Sequence, residues 1–231
     1  MIDLTSSSNN LEDIWGNIDA NLTIFFDNSL KEFLPKLVKI FDDNYISYFI
    51  ESFPSEILFK QIFNEKIKIG NLIINKSPKI VVLPTNQMKA LKEWDLLLLK
   101  RSYAKLRMSM ATEKEDICKP NSIAVPNPQY FTIGSIFIDI YQIRCKNENK
   151  IITTNELKEI YYLLKERKVE AGIMWEHQAK LNGFKYMDMN KTITLEIGVF
   201  KGADKNTLNA YEIMNSIEFR RALDSVEIIG D

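Results

Sequence analysis

The sequence predicts an α/β protein built on mainly parallel sheets. Short apolar runs of four to six residues alternate with helical-period stretches of ten or more, the pattern of strands joined by right-handed helical crossovers. Hydrophobic residues make up 45% and charged residues 26% of the chain, the balance of a folded protein with a core to bury. Its 231 residues suffice for one large domain or two lobes.

The elements follow in order along the chain. A polar stretch over residues 5–10 leads into a short amphipathic segment, 11–18. Residues 22–26 form a buried-strand run. Residues 29–42 place Leu30, Phe33, Leu34, Leu37, Val38 and Phe41 on one helical face. A strand over 45–50 precedes a helix over 54–67 that is entered through Pro54. Residues 80–83 are a second buried run and 86–98 read as helix. A strand over 104–110 gives way to a charged loop at 112–116. Residues 122–125 are a strand ending in Pro126-Asn127-Pro128, and 133–144 are helical. An amphipathic helix over 154–167 takes Thr154 as its cap. Strands over 171–174 and 193–200 come next, and helices over 204–216 and 217–223 close the chain. There is no internal repeat or low-complexity tract.

Composition narrows the function. Lys and Arg total 30 against 31 for Asp and Glu, so the basic excess of a nucleic-acid binder is missing. Cys118 and Cys145 lack metal-ligand spacing, and a disulfide and two reduced thiols are both compatible with them. With His177 as the one histidine, a His-rich metal centre is not expected. The first residues lack the basic-then-apolar pattern of a signal peptide. The location is therefore open: cytoplasmic, or extracytoplasmic if an export signal has been removed. No window approaches the roughly 18 unbroken apolar residues of a membrane span. Glycine is scarce and neither nucleotide-binding glycine pattern is present. Glu176-His177 is the nearest approach to an acid–base pair and reads as a solvated helix start. No enzyme activity is expected.

Several segments, in consistent order, resemble the molybdate-binding protein of ABC transporters, within the type 2 periplasmic-binding-protein class. NLTIFFDNSLKEFLPKLVKIF is similar to that family's opening strand, turn ending Ser-Leu and first helix. ESFPSEILFKQI resembles its Ser-containing loop and following helix. SPKIVVLPTNQMKAL, SIAVPNPQYFTIGSIF and ELKEIYYLLKERKVEAGIMWEHQA resemble its later strands, Pro turn and helices, and TITLEIGVFKGADKNTLNAYEIMNSIEFRRAL its last strand and paired helices. The resemblance implies two lobes around a ligand cleft that closes by a hinge. An N-terminal leader would cover 1–20, lobe 1 would comprise 21–105 with 193–231, and lobe 2 would be 106–192.

The resemblance also implies a solute-binding protein that captures a small oxyanion, molybdate or tungstate, and delivers it to an ABC permease. It implies a monomer with no resident cofactor. Such sites hold a tetrahedral anion with hydroxyls and the N–H groups of helix N-termini. Carried over, Ser29 and Ser55 supply hydroxyls, Thr85 lies in the third loop, Ile133 and Leu157 offer main-chain N–H groups, and Trp175 stands where the family has a tyrosine. Ser29 and Ser55 also precede helical runs, where serine is a common N-cap. Departures from the family pattern are Asp27 two residues before Ser29, Glu56 after Ser55, Glu176 after Trp175, Lys79 before the third strand, and the Pro84-Thr85-Asn86 loop. They keep an alternative open: an intracellular sensor or interaction domain with a changed or lost ligand.

Overall fold

Parallel strands covered on both faces need unbroken apolar runs, and Leu22–Phe26 (β3), Tyr48–Glu51 (β4) and Ile80–Pro84 (β7) are buried at every position. The computed structural model describes residues 1–5, 10–145, 149–222 and 227–228. The chain divides into two compact units, Met1–Lys105 with Ile193–Asp231, and Leu106–Thr192. Leu97–Thr112 (β8) and Tyr186–Phe200 (β12) are the strands in which it passes from one unit to the other.

In the first unit β3 is central, parallel to β4 and β7 with Leu22 opposite Tyr48 and Ile24 opposite Ile80. Ile14–Gly16 (β2) extends the sheet antiparallel to β4, and β12 lies antiparallel to β7. Leu34–Asp43 (α1), Ser55–Ile62 (α2) and Thr85–Glu93 (α3) follow β3, β4 and β7 in turn. The turns after all three strands therefore share the carboxyl edge of the sheet, where open α/β sheets present their ligand sites. Ile2–Asp3 (β1), Ile67–Ile69 (β5) and Leu72–Ile74 (β6) make a separate small sheet. Residues 1–20, read from the sequence as a leader, thus contribute β1, a 3-10 turn over Asn10–Asp13 and β2.

The second unit orders Lys150–Thr154 (β10), Ser122–Pro126 (β9), Ala171–Trp175 (β11) and β8 side by side. The first three are parallel and β8 is antiparallel to β11. Thr132–Arg144 (α4) follows β9, Leu157–Lys165 (α5) follows β10 and Glu176–Leu181 (α6) follows β11. Ala111, Ala124, Ile160, Val169, Met174 and Ala179 fill a core between sheet and helices. Cys118 and Cys145 form a disulfide, with Cα atoms 5.5 Å apart, that ties the end of α4 to the loop after β8. Lys205–Met214 (α7) and Ile217–Ala222 (α8) return to the first unit, where Glu227–Ile228 (β13) pairs with Ala104 and Lys105 of β8.

Helix lengths differ from expectation where a residue takes left-handed backbone. The helix expected over 54–67 ends at Ile62 because Asn64 sits at φ +68°. The one expected over 86–98 ends at Glu93 before Asp95 at φ +56°, and Leu97 and Leu98 open β8 instead. The helix expected from Thr154 starts at Leu157, because Ile151 and Ile152 pair with β9 and Thr154 completes β10. Part of the 29–42 helix is a 3-10 turn, Asn28–Phe33, leading into α1.

Candidate functional site

The first unit concentrates its polar groups at the carboxyl edge of β3, β4 and β7. The Asp27 N–H donates to the Val82 carbonyl at 3.0 Å, and the Asn28 N–H to the Phe53 carbonyl at 3.2 Å. These two bonds fix the turn after β3 against β7 and against the turn after β4. Asp27 caps the 3-10 turn, its Oδ1 accepting the Ser29 N–H at 2.8 Å. Side-chain hydrogen bonds from Ser29 and Ser55 reach the same carboxyl group. Neither serine is an N-cap: Asp27 has that role in the first turn, and Pro54 precedes Ser55, the first residue of α2.

Asp27 is only 3% exposed. Burial pushes its pKa above the ordinary carboxylate range; the Ser29 and Ser55 hydrogen bonds pull it down, and the nearby Glu56 charge adds to the rise. Glu56 accepts a hydrogen bond from Gln87 Nε2 at 2.8 Å. The buried Gln87 Oε1 and the Ser52 Oγ have no partner among the described residues. Two turns thus bring hydroxyls, an N–H donor and a carboxyl group to one place. An anion at this place is opposed by Asp27 whenever its carboxyl group is ionised. A dianion about 4 Å from an ionised Asp27 meets roughly 8 kcal/mol of repulsion at an effective dielectric of 20. A hydrogen bond to a charged group returns only about 1.5–3 kcal/mol. Thr85 opens α3, but its hydroxyl donates to the Thr194 carbonyl of β12 at 3.1 Å.

In the second unit Pro126, Thr154 and Trp175 end β9, β10 and β11 on one sheet edge. Asn127 organises the turn that follows β9. Its N–H donates to the Thr154 carbonyl at 2.8 Å and its Nδ2 to Asn155 Oδ1 at 2.9 Å, while its Oδ1 accepts the Gln129 N–H at 3.0 Å. Ile133 is the second residue of α4 with its side chain buried, and Leu157 the first of α5. What each presents at this edge is a first-turn N–H, which the helix itself does not use. Gly134 permits the close approach of α4, since a Cβ there would collide with the Pro126 carbonyl. Trp175 is 1% exposed and its indole N–H has no partner among the described residues; the same holds for the buried Thr154 hydroxyl. An indole donates and never accepts, so this edge offers donors.

Glu176 is engaged by Lys180 at 2.5 Å and by the Tyr186 hydroxyl at 3.1 Å, and Lys180 foremost holds its pKa low. His177, expected at a solvated helix start, is the second residue of α6 but lies inside the unit at 1% exposure. Among the described residues no group of three or more His, Cys, Asp or Glu could hold a metal ion. No described helix is long and apolar enough to cross a membrane.

Sequence reasoning identified Ser29, Ser55, Ile133, Leu157 and Trp175 at these edges. It noted Asp27 as a departure without its role as the common partner of both serines. Gln87 gave no separate signal, because a helix conceals a buried polar atom, and Thr154 was read as the cap of the following helix, whereas it ends β10.

No protein-family profile matches the chain, and no curated protein matches it. Solved structures do. The periplasmic molybdate-binding protein of Azotobacter vinelandii aligns at TM-score 0.67 and 12% identity, over 91% of this chain and all of that one. L-phospholactate-bound PEB3, a Campylobacter jejuni protein, aligns at TM-score 0.59 and 12% identity, over 91% and 100% of the two chains. The regulatory domain of CcmR from Synechocystis PCC6803, in complex with 2-PG, aligns at TM-score 0.57 and 10% identity, over 84% and 94%. The chain has the two-lobed type 2 periplasmic-binding-protein-like fold, shared by binding proteins and regulatory domains.

Proposed function

We propose that this protein is a solute-binding protein that captures a small oxyanion and hands it to an ABC permease. The observation that carries the reading is the convergence of the Ser29 and Ser55 hydroxyls and the Ser29 N–H on one buried carboxyl group at the sheet edge. Hydroxyl and N–H donors stabilise an anion without a neutralising cation, as helix starts and turns do in general. The Trp175 and Thr154 donors, which have no partner among the described residues, are a second set with the same preference. Molybdate and tungstate are the first candidates, by likeness to the Azotobacter protein; phosphorylated acids are next, since the PEB3 structure holds L-phospholactate. The disulfide supports an oxidising, extracytoplasmic setting.

The test is the Ser29→Ala, Ser55→Ala double variant, titrated calorimetrically with the best-bound oxyanion. A loss of at least 30-fold in affinity is expected, as two donors to a charged group are removed. Unchanged affinity would move the binding site elsewhere. A second reading, an intracellular sensor domain, is favoured by the likeness to the CcmR regulatory domain. Reduced Cys118 and Cys145 in protein isolated from its native cell would support that reading.

A further inference from the structure

Three aromatic rings cluster where α2 and α3 end, a place the candidate site does not use. Phe63 and Trp94, the C-caps of the two helices, meet edge to face with ring centroids 4.8 Å apart. Phe59 of α2 lies against both, at 5.3 Å from Phe63 and 6.1 Å from Trp94. Despite these contacts Trp94 is 54% and Phe63 44% exposed. Both helices start at the carboxyl edge of the first unit's sheet and run back against the strands, so they end at its amino edge. Two backbone bonds fix this. The Phe200 N–H donates to the carbonyl of Lys79, just before β7, at 2.9 Å, and the Lys201 N–H donates to the carbonyl of Leu96, just after α3, at 3.0 Å. The rings therefore lie at the opposite end of the sheet from Asp27, Ser29 and Ser55.

The charges beside the rings are uneven. Each neighbouring acid in the chain is paired: Glu93 with Lys89 at 3.8 Å, Asp95 with Lys201, and Glu65 with the N-terminal ammonium at 3.5 Å. Lys60 and Lys92, exposed in the last turns of α2 and α3, have no ion-pair partner among the described residues. The whole chain carries a formal charge of −1, so this cationic surplus is local. Half-exposed rings beside uncompensated ammonium groups suit a boundary that is apolar within and anionic at its surface. We infer that this end of the first unit docks on a membrane surface bearing anionic phospholipids. Phe63 and Trp94 enter the interface, and Lys60 and Lys92 meet the headgroup phosphates. A second copy of the chain fits less well on two counts. A two-fold contact would set the lysines against themselves. A stable interface also buries about 800 Å² per partner, far more than two partly covered rings supply. The inference goes beyond the oxyanion reading and does not depend on it, because docking by this end leaves the carboxyl edge uncovered.

The experiment is co-sedimentation of the whole chain with vesicles of phosphatidylcholine alone and of phosphatidylcholine with about one-third phosphatidylglycerol, paired with tryptophan fluorescence. Trp175 is 1% exposed and the Trp15 indole nitrogen is buried, so a blue shift on adding vesicles reports Trp94. Wild type is expected to bind the anionic vesicles roughly 10-fold or more above the neutral ones, with that blue shift, and to release them as salt rises. A lysine at such a surface contributes roughly fivefold, so the Lys60→Glu, Lys92→Glu variant should bind at least about 20-fold more weakly. Trp94→Ala should bind more weakly and show no shift. Both variants alter exposed side chains and should melt with wild type. Equal binding to the two vesicle types, unchanged binding in both variants, or no sedimentation with either vesicle would overturn the inference. Self-association seen by light scattering, lost in Trp94→Ala and unaccompanied by vesicle binding, would overturn it in favour of a second copy.

Discussion

Two buried carboxyl groups set the behaviour of the first unit at the level of single residues. Asp27 organises the candidate site, while Glu51 lies at the end of β4, wholly buried, with both its oxygens accepting from Gln61 Nε2 at 3.1 and 2.9 Å. Burial pushes the Glu51 pKa up to about 7; the Gln61 hydrogen bonds and the Lys76 charge oppose the rise. An acid whose pKa is raised on folding holds its proton in the native state where the unfolded chain has lost it. Stability therefore falls as pH climbs from the unfolded carboxylate range to about 7, by on the order of 3 kcal/mol. Asp27 acts in the same direction. Denaturant unfolding at pH 5 and pH 8 checks this: wild type should be the more stable at pH 5, and Glu51→Gln should lose most of the difference. A slope of the opposite sign would contradict the assignment. The positions of Ser29 and Ser55 were legible because family order and helix starts both mark them. The role of Asp27 was not, because a carboxylate near an anion site reads from sequence as a conflict. Only the three-dimensional turn shows it as the acceptor that both serines serve.

At the scale of elements, strands were more legible than helix ends. β3, β7, β9 and β11 announce themselves as short apolar runs, since a strand covered on both faces has no polar alternation to blur. β5, β6 and β10 escaped notice: three-residue strands carry too little pattern, and β10 merges into the amphipathic stretch of α5. Helix ends were misjudged where a non-glycine residue takes positive φ, a choice made by packing rather than by composition. The start of α4 is different, because it depends on one residue. Gly134→Ala should cost about 2 kcal/mol, as the added methyl displaces the α4 start from the Pro126 carbonyl. Thermal unfolding should show a loss of about 4–8 °C. An unshifted transition would mean that α4 is not seated as described.

For the whole molecule, the fold was legible from the order of its segments, even though no one motif among them is distinctive. The disulfide was not, because spacing alone left bonded and reduced thiols equal. The bond closes a separation of 27 residues in the second unit, which corresponds to about 3.5 kcal/mol in the chain-entropy account. A Cys118→Ser, Cys145→Ser variant, or reduction by dithiothreitol, should lower the melting temperature by about 6–12 °C. No change would show that the reduced chain folds equally well and would remove the support for an oxidising setting.

The most direct test of the central claim, that this fold captures a small oxyanion, is a thermal-shift measurement of the purified protein. The ligands are phosphate, phosphate monoesters, sulfate, molybdate and tungstate, with divalent cations as the comparison. A ligand at about 100 times its dissociation constant adds roughly 2.7 kcal/mol, a rise of about 5–10 °C for a chain of this size. A rise with one or more oxyanions and none with the cations is the predicted result. A rise with cations alone would contradict the claim and mark Asp27 and Glu56 as the ligands of a different site.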